Sequence, residues 1–161
     1  MTVKLSPAIK GLITAALMIV AALFIDTNKN TIDPRAQYLV YAIYAVGIAW
    51  TIVAFARNNP GAGFGTLFGQ GFKCFIVVSL VMVLFTYIFV KAHPEYAEQE
   101  AVATREYYIK QGDKVPAEID DLAAQAKKHY AVTIISVSIF RYLIVGGLVT
   151  VASAAILNSR N

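Results

Sequence analysis

Residues 74–90 read CFIVVSLVMVLFTYIFV, seventeen residues without a charge, and the chain then turns to Lys91-Ala92-His93-Pro94-Glu95. A run of that length and apolarity matches the ~17–25 residues that cross a bilayer as a helix. The sudden return of charge marks where hydrocarbon ends. Working outward, the same pattern recurs at residues 11–25, 38–55 and 142–157, the last extended upstream by further apolar residues. A charged segment, 91–131, separates the third run from the fourth. The expected fold is therefore all-α. Four transmembrane helices form a single membrane domain over 1–161, with an extramembrane helical hairpin at 91–131 between the third and fourth.

Composition supports this reading and excludes others. With 58% hydrophobic residues in 161, little of the chain is left to build a soluble core. The net charge of +4 would suggest nucleic acid in a soluble protein. Here the cations flank apolar runs, which is a signature of membrane topology, and no nucleic-acid partner is expected. Cys74 is the single cysteine, so an internal disulfide and a multi-cysteine metal site are excluded. Lys4 and Lys10 ahead of residues 11–25, with Ala21-Ala22 behind them, resemble a signal peptide. The segment is nonetheless expected to be retained as the first transmembrane helix.

Local signals place the helix ends. Ser6 is the expected N-cap of the first helix, and Pro7 takes the first helical position, where a missing N–H costs nothing. Asp26, Thr27, Asn28, Asn30 and Asp33-Pro34 make a polar turn. Tyr38, Tyr41 and Tyr44 then put phenols at a membrane boundary, and Arg57-Asn58-Asn59-Pro60 closes the second helix. The glycines of residues 61–71 predict a flexible turn and a short interfacial helix, with Phe64, Phe68 and Phe72 on one face and Lys73 at headgroup level. No Gly-Lys-Ser/Thr follows these glycines and no strand precedes them, so they do not form a phosphate loop.

In the charged segment Pro94, Glu95 and Glu98 are first-turn residues, while Lys110 and Gly112 are last-turn and C′ residues. Glu106 and Lys110 have i,i+4 ion-pair spacing. Pro116, Glu118, Asp120 and Asp121 open the second arm, whose apolar stripe is Ile119, Leu122, Ala123, Ala126 and Tyr130. Tyr96, Ala103 and Tyr107 are the expected facing residues on the first arm. Nothing breaks a helix from Tyr130 to Asn158, so the second arm is expected to run on into the fourth transmembrane segment.

Four crossings put both termini and the Gly-rich segment on one side, with Lys4, Lys10, Arg57, Lys73 and Arg160 and no carboxylate. By the positive-inside rule both termini are expected in the cytoplasm and the hairpin outside.

Arg141 is the most informative side chain, because an arginine inside hydrocarbon costs at least ~2.5–3.5 kcal/mol and marks a function. No Asp or Glu lies within any apolar run of the chain. Arg141 therefore snorkels to lipid phosphate, pairs with another protein chain or an anionic lipid, or serves transport. Gly146, Thr150 and Ala154 have small-xxx-small spacing, which suits internal packing as well as oligomerisation. His93 and His129 with Glu95 make a weak metal set, and no metal or cofactor is expected. No His, Asp or Glu in the apolar runs supplies acid–base chemistry, so the chain is not read as an enzyme. A lipid or quinone among Tyr41, Tyr44 and Trp50 competes with plain aromatic packing.

The Phe68-Gly69-Gln70-Gly71-Phe72-Lys73 run leading into an aliphatic helix resembles a bacterial membrane family, domain of unknown function 4199. The order of four helices, the charged segment before the last, and the small residues from Gly146-Gly147 to Asn158 are similar too. The resemblance implies a small bacterial inner-membrane protein of accessory character, associated with envelope glycosyl transfer in some relatives. It implies no catalytic residue.

The function expected is a non-enzymatic accessory or scaffolding subunit of a bacterial inner-membrane complex. The alternative is a small oligomeric channel or transporter. Expected partners are membrane lipids and another membrane protein or a second copy. Candidate contact residues are Arg141, Lys73, Gly146, Thr150, Ile119, Leu122 and Ala126.

Overall fold

Ser6 caps the first helix as its position before Pro7 predicts: its hydroxyl accepts from the Ile9 N–H at 3.3 Å. In a computed structural model that describes residues 5–28 and 33–159, the order is α1 (Pro7–Thr27), a 3-10 turn (Pro34–Ala36), α2 (Gln37–Asn58), α3 (Phe64–Ala92), α4 (Glu95–Gln111) and α5 (Pro116–Asn158). No strand occurs among the described residues. Lys4 and Arg160 of the topology argument and Asn30 of the polar turn lie outside them. α1, α2, α3 and α5 are each long and apolar enough to cross a membrane. The protein is all-α and multi-pass.

One boundary differs from the sequence reading. The third helix begins at Phe64 rather than Cys74, so the expected turn and interfacial helix are instead the opening turns of α3. Glycine is a poor helix former in isolation. Gly71 earns its place by close approach, since a Cβ there would lie 2.6 Å from Ile52 Cδ1 and 2.7 Å from Thr150 Cγ2. Phe64, Phe68 and Phe72 do stack in sequence, with ring centroids 6.0 and 5.9 Å apart. At the other end, α5 runs unbroken for 43 residues, as the absence of a breaker predicts.

The chain divides into two compact units. The first, Met1–Met82 with Phe140–Asn161, is a bundle built from α1, α2, the first part of α3 and the last part of α5. Its core holds Ala15, Met18, Tyr44, Ile48, Ile52, Leu67, Cys74, Val78 and Ala154. Small residues let the helices meet. Gly47 of α2 receives Thr14 of α1, and Gly11 of α1 lies against the Cys74 carbonyl of α3. Lipid offers no hydrophobic drive for helices to associate, so such close packing carries the bundle. Leu12, Leu17, Val20, Phe24, Val46, Leu80, Ile144 and Leu148 are exposed, a coat suited to acyl chains and an aggregation surface in water.

The second unit, Val83–Ile139, contains the hairpin of α4 and the start of α5. Gly112 ends α4 in the left-handed conformation, φ 71°, and its N–H donates to the Tyr108 carbonyl at 3.1 Å. Ile119 and Ala123 are buried. The half-buried positions of α4 are Tyr96, Ala97, Ala101, Thr104 and Tyr108. Of the expected facing residues Tyr96 is partly covered while Ala103 and Tyr107 are exposed, and the covered face runs through Ala97, Ala101 and Tyr108 instead. Small Ala97 and Ala101 admit the opposing arm more closely than tyrosines would, and Tyr107 is exposed. Glu106 and Lys110 make no ion pair. The charges pair across the arms instead, Arg105 with Asp120 at 2.7 Å and Glu98 with Lys127.

Candidate functional site

Arg141 stands one residue before Tyr142 on α5, where the bundle turns from core to periphery. Tyr142 is buried and packs edge-on against Tyr44, with centroids 5.8 Å apart, and against Tyr41 at 6.1 Å. This aromatic contact fixes the rotation of α5 and so directs Arg141 into a groove of about 450 Å³ lined by Gln37, Tyr38, Tyr41 and Val145. Arg141 is exposed there, and among the described residues no carboxylate pairs with it. Tyr38 is also open, at 66% of its maximal exposure. The groove thus offers a guanidinium, two phenols and a primary amide on an apolar floor. That donor set suits a carboxylate or phosphate arriving from outside the chain.

Behind the groove lies a polar contact that the sequence did not reveal. The fully buried Tyr44 hydroxyl donates to the Tyr142 carbonyl at 3.1 Å, and Ser79 Oγ lies 3.1 Å from it on α3. One side chain of α2 thereby ties α3 and α5 together. Gly146 makes this possible, because a Cβ there would lie 2.8 Å from Phe75 Cδ2 and closer still to Tyr44 Oη. Thr150 returns its hydroxyl to the Gly146 carbonyl at 2.6 Å and is fully buried. Gly146 and Thr150 therefore face the interior of the bundle, while Gly147 has open space beside it.

The remaining expected contact residues are dispersed. Lys73 is exposed on α3 beside Phe72. On the hairpin Ile119 is covered, whereas Leu122 and Ala126 are half-buried. Nearby, a cavity of about 230 Å³ lies between Glu98, Ala101, Val102 and Arg105 of α4 and Asp120, Ala123, Ala124 and Lys127 of α5. His93 hydrogen-bonds Glu95 at 2.6 Å and stacks on Phe89 with centroids 4.5 Å apart. Among the described residues no group of three His, Cys, Asp or Glu side chains could hold a metal ion.

The three aromatics considered for a lipid or quinone do not share one site. Tyr41 lines the Arg141 groove, Tyr44 is in the core, and Trp50 borders a separate cavity with Lys10. In the sequence Lys10 reads as a topological flank and as part of a signal-like basic start. Its position one helical turn inside Pro7, level with the first apolar residues, was the signal available.

Four apolar spans, an outward apolar coat and a core joined by glycine contacts define an integral membrane protein of the multi-pass helical class. The family model described as "Protein of unknown function (DUF4199)" matches residues 8–159, and the chain belongs to that family. No curated protein and no solved structure matches it.

Proposed function

We propose that the protein is a non-enzymatic accessory or scaffolding subunit of a bacterial inner-membrane complex, with both termini in the cytoplasm and the hairpin outside. The observation that carries this reading is the open Arg141, which has no carboxylate partner among the described residues. An exposed guanidinium set among phenols on an apolar floor gains most from an anion that meets it. A carboxylate on a neighbouring transmembrane chain meets it best, because Tyr38 and Tyr41 then provide an aromatic wall for that chain's helix.

The polar groups in the bundle support the same reading. Tyr44, Thr51, Thr14 and Thr150 all bond within the bundle, which leaves them to packing rather than to a lined path. The test is purification of the tagged full chain from its native membrane in mild detergent, with intact masses measured. A stoichiometric foreign chain that is lost with Arg141→Leu supports the proposal. A homo-oligomer alone overturns it in favour of the channel or transporter reading. Gly146→Leu is unsuitable as a partner test, since it would strike Tyr44 inside the bundle.

A further inference from the structure

At the opposite end of α2 from the Arg141 groove, Lys10 is buried to all but 9% of its surface. Its Nζ lies 5.3 Å from the centroid of the Trp50 ring, within cation–π range. Among the described residues no carboxylate pairs with it. Lys10 borders a cavity of about 530 Å³ whose other walls include Leu5, Trp50, Phe55, Asn58 and Gln70. Most of the side chain is covered, and a cation in such surroundings gains from a counter-charge. The ring face supplies part of that, and an anion is the missing complement.

We propose that this cavity binds the phosphate of a membrane phospholipid, with Lys10 as its counter-charge. The walls divide as such a ligand requires. Leu5, Trp50 and Phe55 offer apolar surface for glycerol and the first methylenes, while Lys10 and the Gln70 amide supply donors for phosphate oxygens. Asn58 and Asn59 each donate an amide N–H to their own helix, at 2.7 Å to Ala54 and 2.9 Å to Phe55. Their carbonyl oxygens remain as acceptors, which fits a headgroup bearing hydroxyls, whereas choline has no hydrogen to donate to them. Free phosphate shares the charge but leaves the apolar walls uncovered.

The experiment is native mass spectrometry of the full chain in detergent, titrated with phosphatidylglycerol, phosphatidylcholine or inorganic phosphate. Wild type should retain one phosphatidylglycerol with at least ~10-fold preference over phosphatidylcholine, about 1.4 kcal/mol. Lys10→Met should abolish that preference, Lys10→Arg should keep most of it, and Arg141→Leu should leave it intact. Gln70→Leu gives a second reading if Lys10→Met proves unstable, and should weaken retention of phosphatidylglycerol. Equal binding of the two lipids, or an unchanged preference in both Lys10→Met and Gln70→Leu, would overturn the proposal. So would Lys10-dependent binding of inorganic phosphate without lipid.

Discussion

The Tyr44 hydroxyl reaches the backbone carbonyl of Tyr142 through the space where residue 146 has no side chain. A helical carbonyl is normally shielded by the residue four positions on, and here that residue is Gly146. The contact joins positions 98 apart in sequence. It holds α5 at the rotation that presents Arg141 to its groove.

Gly146→Ala should therefore lower the melting temperature of the protein in detergent, because the new methyl group meets Tyr44 and Phe75. Overpacking of this kind costs about 1–3 kcal/mol. Gly147→Ala is the internal control, since its Cβ would meet nothing within 4 Å, and should leave the melting temperature unchanged or slightly raised.

Tyr44→Phe keeps the ring and removes only the hydroxyl. Hydrogen bonds between membrane helices average about 0.6 kcal/mol, so its cost in a detergent or denaturant titration should be smaller than that of Gly146→Ala. A larger cost would mean that Ser79 is left without a partner it cannot replace.

The order of these effects shows what the sequence could and could not disclose. Ser6-Pro7, Pro94 and Gly112 act on their own neighbours, so the starts and stops they dictate were legible. The start of α3 was not, because Gly65, Gly69 and Gly71 signal a turn locally and only Ile52 and Thr150 explain the helix at Gly71. Arg141 stood out by its charge in an apolar run. Lys10 did not, because cations near a helix start are ordinary in membrane proteins and only the fold encloses this one. The pairing of Tyr44 with Gly146 is a tertiary contact without local periodicity, and no pattern of spacing announces it.

In the hairpin, apolar cover should outweigh charge. Arg105→Ala removes an ion pair whose members are both more than half exposed, worth about 0.2–1 kcal/mol and weaker in high salt. Ile119→Ala removes a side chain 94% covered, with a cost near the low end of the ~2–5 kcal/mol range for such truncations. Amide hydrogen exchange across α4 should accelerate strongly in Ile119→Ala and only slightly in Arg105→Ala.

Topology has its own readout. In a Cys74→Ser background, Lys110→Cys should react with a membrane-impermeant maleimide added to intact spheroplasts. Arg57→Cys should react only after the membrane is opened. The reverse pattern would place the hairpin in the cytoplasm.

In the proposed function Arg141 and its groove are the docking point for another chain. A photo-crosslinking amino acid in place of Tyr38, 66% exposed at the rim of that groove, tests this directly in living cells. A single foreign membrane protein should be captured, and Arg141→Leu in the same chain should abolish the adduct. Adducts only to lipid or to a second copy of the chain, or a foreign adduct indifferent to Arg141→Leu, would contradict it.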